Sequence, residues 1–175
     1  MKLDLFRIRP VLALAALVLV AACQDVVQPK QHNPGDPFAG LKAGLHPVLV
    51  VTEAGPVTTY AEVRLRRVQT SASVASFQAQ LAYDTTQLSV LGADFPAGVD
   101  GAWHEVSPGQ VRFAGASAGG LDDVAMATLR FASKKPAGQR TFGLDFQELV
   151  GGDFSDLAPQ VAAGAPLIVS AYPSR

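Results

Sequence analysis

The chain has 175 residues, 17% of them charged and 49% hydrophobic, with a formal charge of −1. Phosphate binding requires clustered positive charge; no basic stripe and no interleaving of basic with aromatic residues occurs, so a nucleic-acid partner is set aside. A single cysteine leaves no internal disulfide framework, so burial must hold the fold, and the roughly 130 residues beyond position 45 supply one domain's core and not two.

The N-terminus carries Lys2, Arg7 and Arg9, then an apolar run over residues 11–20, then Ala21, Ala22 and Cys23. That run is about a dozen residues, short of the roughly 20 that span a bilayer as a helix, and small residues before a cysteine suit peptidase cleavage. The pattern resembles the lipobox of bacterial lipoproteins. The resemblance implies that Cys23 receives a diacylglyceryl group, that the peptide is cut before it, and that the new amine is acylated. Two or more chains anchor a protein stably where one does not, so the membrane is an expected partner through this anchor. Gln24, rather than Asp, follows the cysteine, which by resemblance to enterobacterial sorting favours the outer membrane. Loss of residues 1–22, with Lys2, Asp4, Arg7 and Arg9, leaves a formal charge of about −3. Residues 24–44 hold Pro29, Pro34, Gly35, Pro37, Gly40 and Gly44 among polar residues without periodicity, and read as a tether. The expected organisation is a signal peptide over 1–22, a lipidated cysteine and tether over 23–44, and a β-sandwich over 45–175.

Beyond residue 45 the apolar residues recur with period two. Ala61, Val63 and Leu65 alternate with Glu62, Arg64 and Arg66; Phe77, Ala79 and Leu81 alternate with Gln78 and Gln80. Asp84 to Gln87 reads as one helical turn, its carboxylate accepting from exposed amides and Gln87 reaching back as in a capping box. Val111 and Phe113 flank Arg112; Ala125, Ala127, Leu129 and Phe131 interleave with Met126, Thr128 and Arg130; Phe142, Leu144 and Phe146 bracket Gly143 and Asp145. Residues 161–163 and 167–170, joined across Gly164, Ala165 and Pro166, read as a terminal hairpin. Eight to ten strands with one wet face each predict an all-β protein, a jelly-roll or immunoglobulin-like sandwich of about nine strands.

The stretch 77–90, FQAQLAYDTTQLSV, resembles the F-x-x-x-L-x-Y-D-x-x-x-L-x-V signature of cohesin domains. QVRFAGAS at 110–117, VAMATLRFAS at 124–133 and the C-terminal strands follow in the family's order, so the resemblance covers about residues 46–170. It departs at Asp122 and Asp123, where many cohesins have a glycine. It implies a nine-stranded, non-catalytic jelly roll that binds dockerin domains in polysaccharide-degrading assemblies or serves as an adhesion or carbohydrate-associated module. The quoted residues are core and turn positions, so no partner-binding residue is carried over.

Gly115-Ala116-Ser117-Ala118-Gly119 matches the serine-hydrolase elbow, but that elbow requires a following helix and a later histidine, and His32, His46 and His104 all precede Ser117. The histidines are scattered without metal-ligand spacing, and the acidic pairs Asp122 with Asp123 and Asp153 with Asp156 read as solvated turns, so no cofactor or metal is expected. Trp103 and His104 are candidate binding residues, with Tyr60 and Tyr172 as further aromatics; the weight for Trp103 falls on partly buried packing. Glu62, Arg64 and Arg66 read as a solvated row. The expected function is a non-enzymatic envelope lipoprotein whose module recognises a protein, a dockerin-like one by the resemblance. The alternatives are direct polysaccharide binding and a structural role in an envelope assembly.

Overall fold

The computed structural model describes residues 38–121, 125–136 and 138–171. Cys23 and the signal segment, most of the tether, His32, Asp122, Asp123 and Tyr172 lie outside the described residues. Nine strands follow in order: β1 (Gly44–Glu53), β2 (Thr58–Val68), β3 (Val74–Tyr83), β4 (Leu88–Asp94), β5 (Asp100–Ser107), β6 (Gln110–Ala116), β7 (Ala125–Ser133), β8 (Phe142–Gly151) and β9 (Leu167–Ala171). They form a five-stranded sheet, β4-β7-β2-β1-β9, and a four-stranded sheet, β5-β6-β3-β8. All pairings are antiparallel except β1 with β9.

The predicted alternation sets the core. Ala61, Val63 and Leu65 from one sheet and Phe77, Ala79, Leu81, Val111 and Phe113 from the other are buried together with Leu129 and Phe131. Each large apolar side chain removed from water contributes about 1.5–3 kcal/mol. Across the layers, Phe131 of β7 meets Tyr83 of β3 and Phe142 of β8, with ring centroids 5.1 Å and 5.7 Å apart. The Tyr83 hydroxyl donates to Glu105 at 2.6 Å, so its polar end is satisfied at the sheet's rim.

Several elements differ from the alternation-based expectation, each for a local reason. The C-terminal segments do not form a hairpin: Val161 bridges Leu45 and β9 pairs with residues 48–52, both parallel to β1 along one edge. The backbone between them leaves that edge and returns, so the strands share a neighbour instead of pairing with each other. Met126 faces inward with Ala127, because a β-bulge opposite Val63 and Arg64 places two residues of β7 against the core. A second bulge at Gln147 shifts the phase of β8, so Leu149 is buried where the earlier alternation points Glu148. β1 and β5 carry no alternation: residues 45–49 are all buried, and every residue of β5 is exposed. The described helical element is a 3-10 turn, Ala158–Gln160. Asp84 to Gln87 forms a single turn, as expected, with Leu88 N–H donating to the Asp84 carbonyl. Gln87 reaches the Asp84 carboxylate, however, and not its backbone N–H.

A buried polar knot ties four segments together. Arg140, 5% exposed, donates from Nε to Glu53 Oε1 at 2.9 Å, from Nη1 to Gln87, and from Nη2 to the Lys135 and Pro136 carbonyls. Glu53 Oε2 accepts from Thr59, whose hydroxyl also bonds Ser133. Arg140→Ala leaves the largely buried Glu53 carboxylate without its cation, and the urea midpoint should fall by an amount equivalent to about 3–5 kcal/mol.

The Asp84 carboxyl is held below its ordinary value of 3.8 by hydrogen bonds from the Thr86 side chain and N–H and from the Gln87 amide. Its contribution is therefore complete above that value and lost as pH falls through the lowered one. Asp84→Asn, which cannot titrate, should show a shallower loss of thermal stability below pH 4 than the parent chain.

Candidate recognition face

The strand register puts the outward residues of the four-stranded sheet into rows. Asp145 of β8, Gln80 of β3, Arg112 of β6 and His104 of β5 lie side by side; the next row is Glu148, Gln78, Ala114 and Ala102. Beyond them, Gly143, Ala82 and Gln110 continue the face at one end and Ser76, Ala116 and Asp100 at the other. Small residues keep the middle low, and a shallow depression of about 470 Å³ opens between Gln78, Gly101, Ala114, Gly115 and Glu148.

Four glutamines form a relay across this face. Gln78 donates to Gln147 at 2.9 Å, Gln147 to Gln80 at 3.2 Å, and Gln80 to Gln110 at 3.2 Å. The bulge in β8 makes this possible, since it brings Gln147 between the two glutamines of β3. The relay orients the amides and leaves the Gln78 carbonyl and the Gln110 amino group at its ends for an incoming partner. Arg112, half-buried beside it, has no ion pair or hydrogen bond to the described residues, and its Nε is shielded from solvent. A guanidinium left unpaired within a flat face is a site for a carboxylate from outside.

The candidate residues named from sequence do not come together. His104 is exposed on this face beside Arg112. Trp103, its neighbour, pairs with Phe113 on the opposite face of β5; it is 36% exposed, because β5 is the edge strand of its sheet. Tyr60 lies in β2 of the other sheet, between Thr52 and Arg130. His46 is buried and bonds the Lys42 carbonyl. The Q-x-Q pattern of β3 was visible in sequence; Arg112's isolation and the contribution of Gln147 needed the register.

No protein-family model and no curated protein sequence matches the chain. Solved structures do. The sixth cohesin of Acetivibrio cellulolyticus scaffoldin B, solved with a dockerin, is 16% identical with a TM-score of 0.52, covering 70% of this chain and 99% of that one. A cohesin–dockerin complex from Clostridium thermocellum gives 13% identity and a TM-score of 0.56 over 72% and 99%. The cohesin module of a Clostridium perfringens family 33 glycoside hydrolase gives 14% and 0.55 over 74% and 100%. The domain is a cohesin-like β-sandwich. At these identities the likeness is one of fold.

In the cohesin-like sandwich the signature residues Phe77, Leu81 and Tyr83 face the core and Asp84 caps the turn. Ser117 follows β6 and enters a turn closed by Gly120 N–H on its carbonyl, and the next described element is the strand β7 rather than a helix. Asp153 accepts from Ser155, and Asp156 from the Ala158 N–H, so both carboxylates brace turns. Among the described residues no three His, Cys, Asp or Glu side chains gather as a metal site requires. Because Arg112 pairs with nothing in the described fold, Arg112→Ala should leave unfolding free energy within about 0.5 kcal/mol of the parent, measured by urea titration.

Proposed function

We propose that the chain is a non-catalytic lipoprotein of the cell envelope, anchored through lipid on Cys23 and sorted to the outer membrane. Its cohesin-like sandwich binds a protein partner through the outer face of the β5-β6-β3-β8 sheet. The observation that carries this reading is the flat amide-lined face with unpaired Arg112 at its centre. Four strands about 4.8 Å apart and about eight residues at about 3.3 Å each make a plane roughly 20 by 25 Å. That is about 500 Å², so a partner covering the roughly 800 Å² of an ordinary interface would also touch the loops that flank the face. A central arginine that becomes desolvated on contact is a residue type that dominates such interfaces.

The fold supports the same reading, since the cohesins from A. cellulolyticus and C. thermocellum were solved with dockerins. Here the complementary partner group is a carboxylate facing Arg112, bordered by groups that accept from Gln110 and donate to Gln78. A dockerin-like domain with an acidic contact residue meets that description. The anchor rests on the lipobox pattern ending at Cys23.

The soluble chain lacking residues 1–22, with Cys23→Ser, should retain a saturable protein partner from envelope and secreted extracts. Arg112→Glu should weaken that partner about 10- to 100-fold in titration calorimetry while the Arg112→Ala stability control stays unchanged. Failure to recover any saturable protein partner refutes the reading. In cells, labelled palmitate should enter the parent chain and not Cys23→Ser, and the parent should fractionate with the outer membrane.

A further inference from the structure

At one end of the sandwich, where β2 gives way to β3 and β8 runs out, a cavity of about 450 Å³ opens between Thr70, Ser71, Ser73, Asp153, Ser155 and Gln160. Its size falls within the range of small-ligand sites, about 300–1,000 Å³. Two walls are fixed to each other, since Gly152 N–H donates to the Ser73 carbonyl at 2.9 Å. The second wall is a closed turn: Gly151 N–H donates to the Ser155 carbonyl, and Asp153 Oδ1 accepts from both the Ser155 N–H and hydroxyl. A Cβ at Gly151 would lie 2.6 Å from Asp153 Oδ1 and 2.7 Å from Ser155 Oγ, so a larger residue there would displace both side chains from their bonded turn.

Between the lining residues Asp153 and Ser155 stands Phe154, 91% exposed. An aromatic ring given wholly to solvent contributes nothing to the core, and here it also occupies left-handed backbone at φ 65°. Among the described residues the other non-glycine with positive φ is Gln69, at φ 50°, next to Thr70 on the facing wall. Each of these left-handed residues is next in sequence to a residue that lines the cavity, and strain of this kind is associated with function.

The lining selects a ligand class. No lysine or arginine contributes to it, and Asp153 is held ionised by its hydrogen bonds from Ser155, so an anion is disfavoured. One carboxylate is too few for a calcium site. The hydroxyls of Ser71 and Ser73 and the side-chain amide of Gln160 make no hydrogen bond to the described residues, so an apolar ligand would bury them unpaired. A neutral, hydroxyl-rich ligand with one apolar face satisfies all of these groups. We propose that this end of the sandwich binds a neutral glycan, with Phe154 stacking on a sugar ring and Asp153, Ser73 and Gln160 hydrogen-bonding its hydroxyls.

The site is independent of the four-stranded face, and the test separates them. The full chain, purified in detergent, is titrated with cellohexaose, xylohexaose, mannohexaose, laminarihexaose and maltohexaose by calorimetry and saturation-transfer NMR. At least one should bind saturably. Phe154→Ala should weaken it at least tenfold, Phe154→Trp should preserve it, Asp153→Asn should weaken it, and Arg112→Glu should leave it unchanged. Phe154→Gly, which relieves the left-handed strain, should lose the oligosaccharide while raising Tm, so that lost binding is not lost folding. Absence of binding by all five at millimolar concentration, or binding indifferent to Phe154→Ala, overturns the proposal, whatever the fate of the protein partner.

Discussion

Phe131 is the keystone of the sandwich. It projects from the five-stranded sheet between Tyr83 and Phe142 of the four-stranded one, so both layers close on a single ring. With no disulfide available within the domain, this interlayer contact and the aliphatic rows around it must set the spacing of the sheets. The polar groups nearby follow from that placement. Tyr83 brings its hydroxyl to Glu105, and burial together with that carboxylate raises the phenol above its ordinary range, keeping it protonated as a donor. The chain reversal at Asp84 follows directly from β3, and Gln87 then reaches the Arg140 knot. Hydrophobic closure positions the knot; the knot in turn fixes the long connection between β7 and β8 that an apolar core alone would leave loose.

A core that closes from within leaves the outer face of the four-stranded sheet free of structural duty. Among its charged residues run small and amide-bearing ones, and amides can satisfy one another without freezing the face to one charge pattern. The Gln78, Gln147, Gln80 and Gln110 relay does this, ordering four long side chains before any partner arrives. Ordering costs conformational entropy at folding and spares it at binding. Arg112 contrasts with Arg64 and Arg130, which pair with Glu62 and Asp94 on the other sheet. The two sheets therefore divide between a self-paired charged surface and one whose central cation is left unmatched by the described residues.

What could be seen in the sequence depends on how each strand meets water. β2, β3, β6 and β7 have one wet face, and their alternation named the core residues Val63, Leu81, Phe113 and Leu129 directly. β1 is buried on both sides over residues 45–49 and β5 is exposed throughout, so neither leaves a period-two trace. Bulges at Met126 and Gln147 insert a residue where a fixed period continues, and such register shifts arise from pairing partners far away in sequence. The candidate site was less legible still. Trp103 attracted notice by its residue type, although its exposure comes from an edge position, while Arg112 looked like an ordinary outward residue until its neighbours were known. Phe154 sits among turn-forming residues that carry no periodic signal, and its exposure follows from a bonded turn rather than from composition.

The edges of the four-stranded sheet bear on how the proposed partner would engage it. An exposed eight-residue edge strand such as β5 invites another strand to add to it, and that mode would bypass the face entirely. β5 resists it. A bulge interrupts its ladder between Glu105 and Ser107, Asp100 and Glu105 place carboxylates along it, and Glu105 is committed to Tyr83. At the opposite edge, β8 is bulged at Gln147 and carries Asp145 and Glu148. With both edges irregular and acidic, strand addition is opposed by geometry and, for an acidic segment, by charge. The flat interior, where Arg112 lacks a partner and the amides are already ordered, is the part of this sheet whose unmet interactions a folded protein domain can satisfy.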